Sequence, residues 1–206
     1  DGALTLLSNV GGGFFVTTPV SLPATVKVTG SILAADFDRN GLPDLAAGIK
    51  GGWTVLFNDG SGPNRPVVVS LPKAFRTLSR MVAADFDEDG WLDLVTNYGA
   101  KVPTLFFRGS ATGAFGGGET IGAAGSVTEP FAVDLDQDDH QDVVSCSSAG
   151  GLSCQVLYGN GAGQFGAAAL PSATAVGREP RAAAAGDLDH DGFADVVGIS
   201  RVDDVA

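Results

Sequence analysis

The sequence predicts an all-β chain folded as a β-propeller of four-stranded blades, with material for about four blades. Three observations carry this. An acidic stretch, Asp85-Phe86-Asp87-Glu88-Asp89-Gly90-Trp91-Leu92-Asp93-Leu94, has three relatives, and the four copies start at Asp36, Asp85, Asp134 and Asp187, spaced by 49, 49 and 53 residues. Interleaved with them run Leu4–Leu7, Trp53–Phe57, Thr104–Phe107 and Gln155–Leu157, in which Leu7, Phe57, Phe107 and Leu157 fall at intervals of 50. Finally, 30 Gly and 10 Pro punctuate short apolar runs without a long 3.6-residue period, the pattern of strands joined by turns.

Four strands fit into each period. Strand A (Ile32–Ala35, Met81–Ala84, Phe131–Val133, Ala182–Ala185) leads into the acidic loop, and strand B (Leu45–Ile49, Leu94–Asn97, Val143–Cys146, Val196–Ser200) leaves it. Strand C is the interleaved series, and strand D follows a Gly-rich turn, as in Val67–Leu71 and Ala167–Leu170. Four strands in about fifty residues match a propeller blade rather than the shorter coils of a β-helix. One domain over 1–206 then divides into repeats at roughly 1–30 (C, D), 31–79, 80–128, 129–180 and 181–206 (A, B).

Because the chain starts with C and D and ends with A and B, its two ends can complete one blade and close a four-bladed ring, removing exposed sheet edges. The alternative is part of a larger or oligomeric propeller. The opening at Asp1-Gly2 falls in mid-pattern, as in a processed chain or a fragment. Eight residues beyond each strand C marker lie Phe15, Arg65, Phe115 and Phe165; three are aromatic turn anchors, and Arg65 breaks the pattern.

The net charge of −12 argues against nucleic acid or an anionic membrane as partner, and no apolar run is long enough for a transmembrane helix. Seventeen of the 24 acidic residues lie in the four loops. Hard cations want six to eight oxygen ligands, and alternating carboxylates around a tight turn supply them. The expected donors are positions 1, 3, 5 and 9, with the backbone carbonyl of position 7. They are Asp36, Asp38, Asn40, Leu42 and Asp44, then Asp85, Asp87, Asp89, Trp91 and Asp93. The later loops offer Asp134, Asp136, Asp138, His140 and Asp142, then Asp187, Asp189, Asp191, Phe193 and Asp195, with Leu42, Trp91, His140 and Phe193 acting through the carbonyl.

Up to four Ca2+ ions are expected. Magnesium prefers fewer protein ligands, and an EF-hand would put a bidentate Glu at position 12 between helices. An Asp/Gly-rich turn without metal is the plain alternative for any one loop. Gly at position 6 is expected at φ > 0; in the third loop Asp139 stands there, a residue type that tolerates left-handed backbone. That loop, and the first with its Asn40 and neighbouring Arg39, are expected to bind more weakly.

Cys146 and Cys154 end two apolar runs on either side of a Gly-rich turn, which suits a cross-hairpin disulfide, against two buried thiols. Together with calcium loops that work at millimolar concentrations, this favours a secreted or cell-surface location. His140 and His190 are read as solvent-facing loop residues. No catalytic constellation stands out, so the chain is not expected to be an enzyme.

The Ala-Asp-Phe-Asp-x-Asp-Gly-x-x-Asp-Leu pattern, with Gly-x-Phe-Gly at 113–116 and 163–166, resembles the FG-GAP/VCBS repeats of integrin-α-like calcium-binding propellers across essentially the whole chain. The resemblance implies calcium held by the residues named above and a non-catalytic adhesion or binding module for an extracellular protein or carbohydrate. Trp53, Trp91, Tyr98 and Tyr158 are candidates for stacking on sugars, against core or rim packing. Other readings are a structural unit that assembles into homo-oligomers through blade edges, or the propeller part of a polysaccharide-active enzyme.

Overall fold

The structure is a computed structural model that describes residues 4–20, 22–24, 26–71, 78, 80–98, 102–122, 130–147, 153–169 and 179–201. Asp1-Gly2, Leu170 and the turn between the two cysteines at 148–152 lie outside these residues. Every regular element described is a strand. A first hairpin pairs β1 (Leu4–Asn9) with β2 (Phe15–Val20). Three four-stranded antiparallel sheets follow, each pairing in chain order. They are β3 (Val28–Ala35), β4 (Asp44–Ile49), β5 (Gly52–Asn58) and β6 (Pro63–Ser70); β7 (Arg80–Ala84), β8 (Asp93–Asn97), β9 (Leu105–Phe107) and β10 (Glu119–Thr120); and β11 (Phe131–Val133), β12 (Asp142–Ser147), β13 (Ser153–Gly159) and β14 (Phe165–Ala169). A last hairpin joins β15 (Glu179–Gly186) to β16 (Asp195–Arg201). The expected A-B-C-D order is therefore present three times, and among the described residues the two terminal hairpins are separate two-stranded sheets.

The chain packs as two compact units, Asp1–Leu78 and Ser79–Ala206. In the first, the middle strands β4 and β5 are almost wholly buried, as expected of strands flanked on both edges and covered on both faces. Gly30 belongs there because a Cβ would run into the Leu78 carbonyl oxygen.

The fifty-residue spacing misplaces one strand C marker. Register sets Leu45 opposite Leu56, Leu94 opposite Phe107 and Val143 opposite Leu157, so Leu56, not Phe57, is the counterpart of Phe107 and Leu157. The reason is the anchor. The position 9 carboxylates accept the N–H two residues beyond these markers, from Asn58 at 2.7 Å, Gly109 at 2.7 Å and Gly159 at 2.9 Å. A one-residue slip turns a side chain to the other face. Phe57 accordingly lies under the guanidinium of Arg65, 4.3 Å from its ring centre. Arg65 thus breaks the aromatic pattern but still covers an aromatic ring.

In the second unit the core is Phe86, Val95, Phe106, Val143 and Leu157, drawn from two neighbouring sheets. Phe165, the Phe of Gly-x-Phe-Gly, packs edge-on against Phe86 at 5.7 Å and Phe106 at 5.3 Å. It therefore anchors its turn to the preceding sheet; such pairs add about 1 kcal/mol each beyond area burial. Its counterpart Phe15 in the first hairpin is 58% exposed. Register also sets Cys146 opposite Cys154, and Cys154 is disulfide-bonded.

At Gly109 and Gly159 a Cβ would strike the carbonyl oxygens of Leu92 and Gln141, each at position 8 of an acidic loop. In the first sheet Asn58 takes this place, and its Nδ2 donates to Pro43 O, also position 8, at 3.1 Å. Gly109→Ala is expected to cost about 2 kcal/mol, roughly 4–8 °C in melting temperature. Gly117→Ala, with nothing within 4 Å of the added carbon, should leave the melt unchanged.

Candidate metal centres

Each acidic loop joins the first strand of a sheet to the second and curls through two left-handed residues. Position 6 has φ of 85° at Gly41, 88° at Gly90, 69° at Asp139 and 92° at Gly192, as expected. Position 4 is left-handed as well, at Arg39 (57°), Glu88 (57°), Gln137 (62°) and His190 (64°). Nothing in those residue types announces it, and each costs roughly 1–2 kcal/mol of backbone strain.

The carboxylates organise the curl by accepting backbone N–H groups. Position 1 takes the N–H of position 6, from Gly41 to Asp36 at 2.8 Å, Gly90 to Asp85 at 2.9 Å, Asp139 to Asp134 at 3.0 Å and Gly192 to Asp187 at 3.1 Å. Position 5 takes that of position 7, so Leu42, Trp91, His140 and Phe193 donate to Asn40, Asp89, Asp138 and Asp191 at 2.8–3.0 Å. Position 9 takes that of position 2, from Phe37, Phe86, Leu135 and Leu188 to Asp44, Asp93, Asp142 and Asp195. With the strand C bonds above, Asp44, Asp93 and Asp142 each tie three chain segments together and are fully buried.

The curl brings positions 1, 3 and 9 together in every loop. Asp36, Asp38 and Asp44; Asp85, Asp87 and Asp93; Asp134, Asp136 and Asp142; and Asp187, Asp189 and Asp195 each bring one carboxylate oxygen apiece to within 4.8 Å of one another. Asp89, Asp138 and Asp191 at position 5 lie outside these groups. Asn40 is occupied too, its Nδ2 donating to Asn58 O at 2.8 Å.

The residues fit a hard cation. Asp38 Oδ1 and Asp85 Oδ1 are buried with no hydrogen-bond partner, a costly condition for a carboxylate oxygen that a cation would relieve. All donors in the groups are carboxylates, which suits calcium or magnesium rather than zinc or copper. Burial pushes Asp93 up to about 6, against the N–H of Gly109 and with help from Asp87 and Asp89. Asp44 and Asp142 are raised for the same reason.

Two arginines that the spacing of acidic residues does not reveal complete the picture. Arg65 Nη2 lies 3.2 Å from Asp38 Oδ2 and Arg108 Nη1 lies 2.7 Å from Asp87 Oδ2, so a guanidinium faces position 3 in the first two loops. His140 is not simply solvent-facing: its Nδ1 sits 2.6 Å from Glu88 Oε1 across two loops, which raises its pKa. His190 is exposed. Trp53 and Tyr98 are buried and offer no ring face to a sugar, whereas Trp91 and Tyr158 are half-buried. A cavity of about 440 Å³ beside the first loop has mostly apolar walls, including Leu4, Leu6, Ile32, Leu42 and Leu45.

The FG-GAP-like repeat family model matches residues 39–96 and 134–198, together more than half of the chain. No curated protein matches. Among solved structures, the chain is similar to a lectin from Agrocybe aegerita whose structure explains specific recognition of non-reducing terminal N-acetylglucosamine. The TM-score is 0.60 at 21% identity, over 94% of this chain and 54% of the lectin chain. That likeness is one of fold, and this chain spans about half the lectin's length.

Proposed function

Because the chain belongs to the FG-GAP-like repeat family, we propose that it is a non-catalytic binding module whose acidic loops are held by calcium. The observation that carries the calcium reading is the same carboxylate triad in all four loops, with buried, unpartnered oxygens at Asp38 and Asp85. Bound ions would offset the mutual repulsion of the carboxylates and fix strand A to strand B, with position 5 and the position 7 carbonyl as further donors. The partner proposed is an extracellular carbohydrate; likeness to a sugar-binding lectin supports it. A secreted or cell-surface location suits both millimolar calcium and a disulfide-bonded Cys154.

In this reading the four-stranded sheets are propeller blades, with β1–β2 as strands C and D and β15–β16 as strands A and B of a further blade. A glycan array with and without calcium tests the function. Calcium-dependent retention of particular sugars supports a lectin, and no retention in either condition, with protein ligands retained instead, overturns it.

A second reading, assembly through sheet edges, is favoured by the exposure of Leu7, Phe14 and Phe15 on the first hairpin and Leu188 and Val197 on the last. Light scattering separates the two. A monomer at 20.7 kDa supports a ring completed by its own ends, whereas a dimer or polymer supports pairing between copies.

A further inference from the structure

The second acidic loop is braced from the neighbouring sheet. Arg108, just after β9, donates from Nη1 to Asp87 Oδ2 at 2.7 Å and to Ala162 O at 3.2 Å, and from Nη2 to Gly163 O at 2.9 Å. One guanidinium therefore joins position 3 of the loop to the β13–β14 turn. The turn answers directly, since Gly163 N–H donates to Phe86 O, position 2 of the same loop, at 3.1 Å.

A side chain in the turn would displace the groups that brace it. A Cβ at Gly163 would enter the Arg108 guanidinium, and one at Gly161 would lie 2.6 Å from the His140 ring and 2.9 Å from Glu88 Oε1. Both glycines are left-handed, Gly161 at φ 67° and Gly163 at φ 65°.

We propose that Arg108 and the Asn160–Gly163 turn position the Asp85–Asp93 loop for its divalent cation, so that ion binding there is coupled to the packing of the second sheet on the third. This rests on the calcium reading above. The coupling arises from pre-organisation. Asp87, with Oδ2 held by a planar, charge-assisted donor and Oδ1 accepting the Asp89 N–H at 3.4 Å, is oriented in advance and loses less freedom when a cation arrives. Partners that orient metal ligands commonly govern affinity by 10–100-fold. Opposing this is the repulsion between guanidinium and cation, which Glu119 Oε1, 3.5 Å from Arg108 Nε, partly offsets.

The test is a calcium titration of the full chain followed at the amide signals of Gly90 in the second loop and Gly192 in the fourth, with hydrogen exchange at Gly163 N–H. In the wild type, calcium should slow exchange at Gly163. In Arg108→Gln the half-saturation at Gly90 should rise about tenfold, that at Gly192 should stay, and calcium should no longer protect Gly163. Arg108→Lys should behave like Arg108→Gln, because an ammonium cannot hold three acceptors in a planar fork; it also serves if the Gln variant folds poorly. Gly163→Ala should weaken binding at Gly90 although it lies on another sheet. Wild-type affinity in Arg108→Lys would reduce the residue to a charge, and tighter binding in Arg108→Gln would make it a competing cation; either overturns the proposal. A wild-type chain whose Gly90 and Gly192 signals ignore calcium sinks the calcium reading itself, and the coupling with it.

Discussion

Asp93→Ala is expected to destabilise the chain by roughly 2–6 kcal/mol even in the presence of a chelator. The fully buried carboxylate accepts the N–H of Phe86 at 3.0 Å and of Gly109 at 2.7 Å. Truncation leaves both donors without a partner, at about 1–3 kcal/mol each. Asp93→Asn should fall between, since one amide oxygen can serve only part of that demand. Asp89→Asn gives the contrast. Its Oδ1 accepts the N–H of Trp91 at 2.8 Å, which an amide oxygen can also do, so the chelated melt should hardly move. Urea denaturation of the three variants in EDTA checks this; equal stability of Asp93→Ala and wild type would show that the position 9 carboxylate serves only the ion.

Removing calcium is expected to lower the melting temperature by on the order of 10 °C or more. A single site at a hundredfold excess of ligand over Kd contributes about 2.7 kcal/mol, and each kcal/mol is worth roughly 2–4 °C in a chain of this size. An EDTA melt that coincides with the calcium melt would sink the metal assignment.

The pH dependence of the chelated protein follows from the buried Asp at position 9. With Asp93 raised from 3.8 to about 6, the folded chain keeps a proton that the unfolded chain has already released. Its contribution is therefore fully present below about pH 4 and is lost as pH rises through about 6, amounting to about 3 kcal/mol for this one group. Asp44 and Asp142 act in the same direction. Calcium should oppose the trend, because it binds the deprotonated form. Melts at pH 4, 5, 6 and 7 in EDTA should thus decline from this source, and the calcium-induced gain should widen over the same range.

Much of this was legible because it is local. Asp at alternate positions, a Gly that turns the chain and apolar runs on either side lie within ten residues, so the four loops and the A-to-D order of strands could be read directly. What escaped depends on groups that sequence spacing does not bring together. The left-handed turn at Arg39, Glu88, Gln137 and His190 is dictated by backbone N–H groups closing on carboxylates, not by the side chain at that position. Arg108 meets Asp87 across 21 residues and Gly163 across 55, and His140 meets Glu88 across 52. The slip between Leu56 and Phe57 was hidden because every residue of Trp53–Phe57 is buried, leaving no inside–outside alternation to fix the face.

The stagger between sequence repeat and sheet has a consequence for how such chains lengthen. Each stretch matched by the family model starts in one acidic loop and ends on the strand after the next. The unit that can repeat in register is shorter, from one acidic loop to the next, and brings the last three strands of one sheet and the first strand of the sheet that follows in the chain. Duplication therefore cannot add a free-standing module. Every new copy arrives divided between two successive sheets, so it can be accommodated only by completing a sheet already begun and beginning the next.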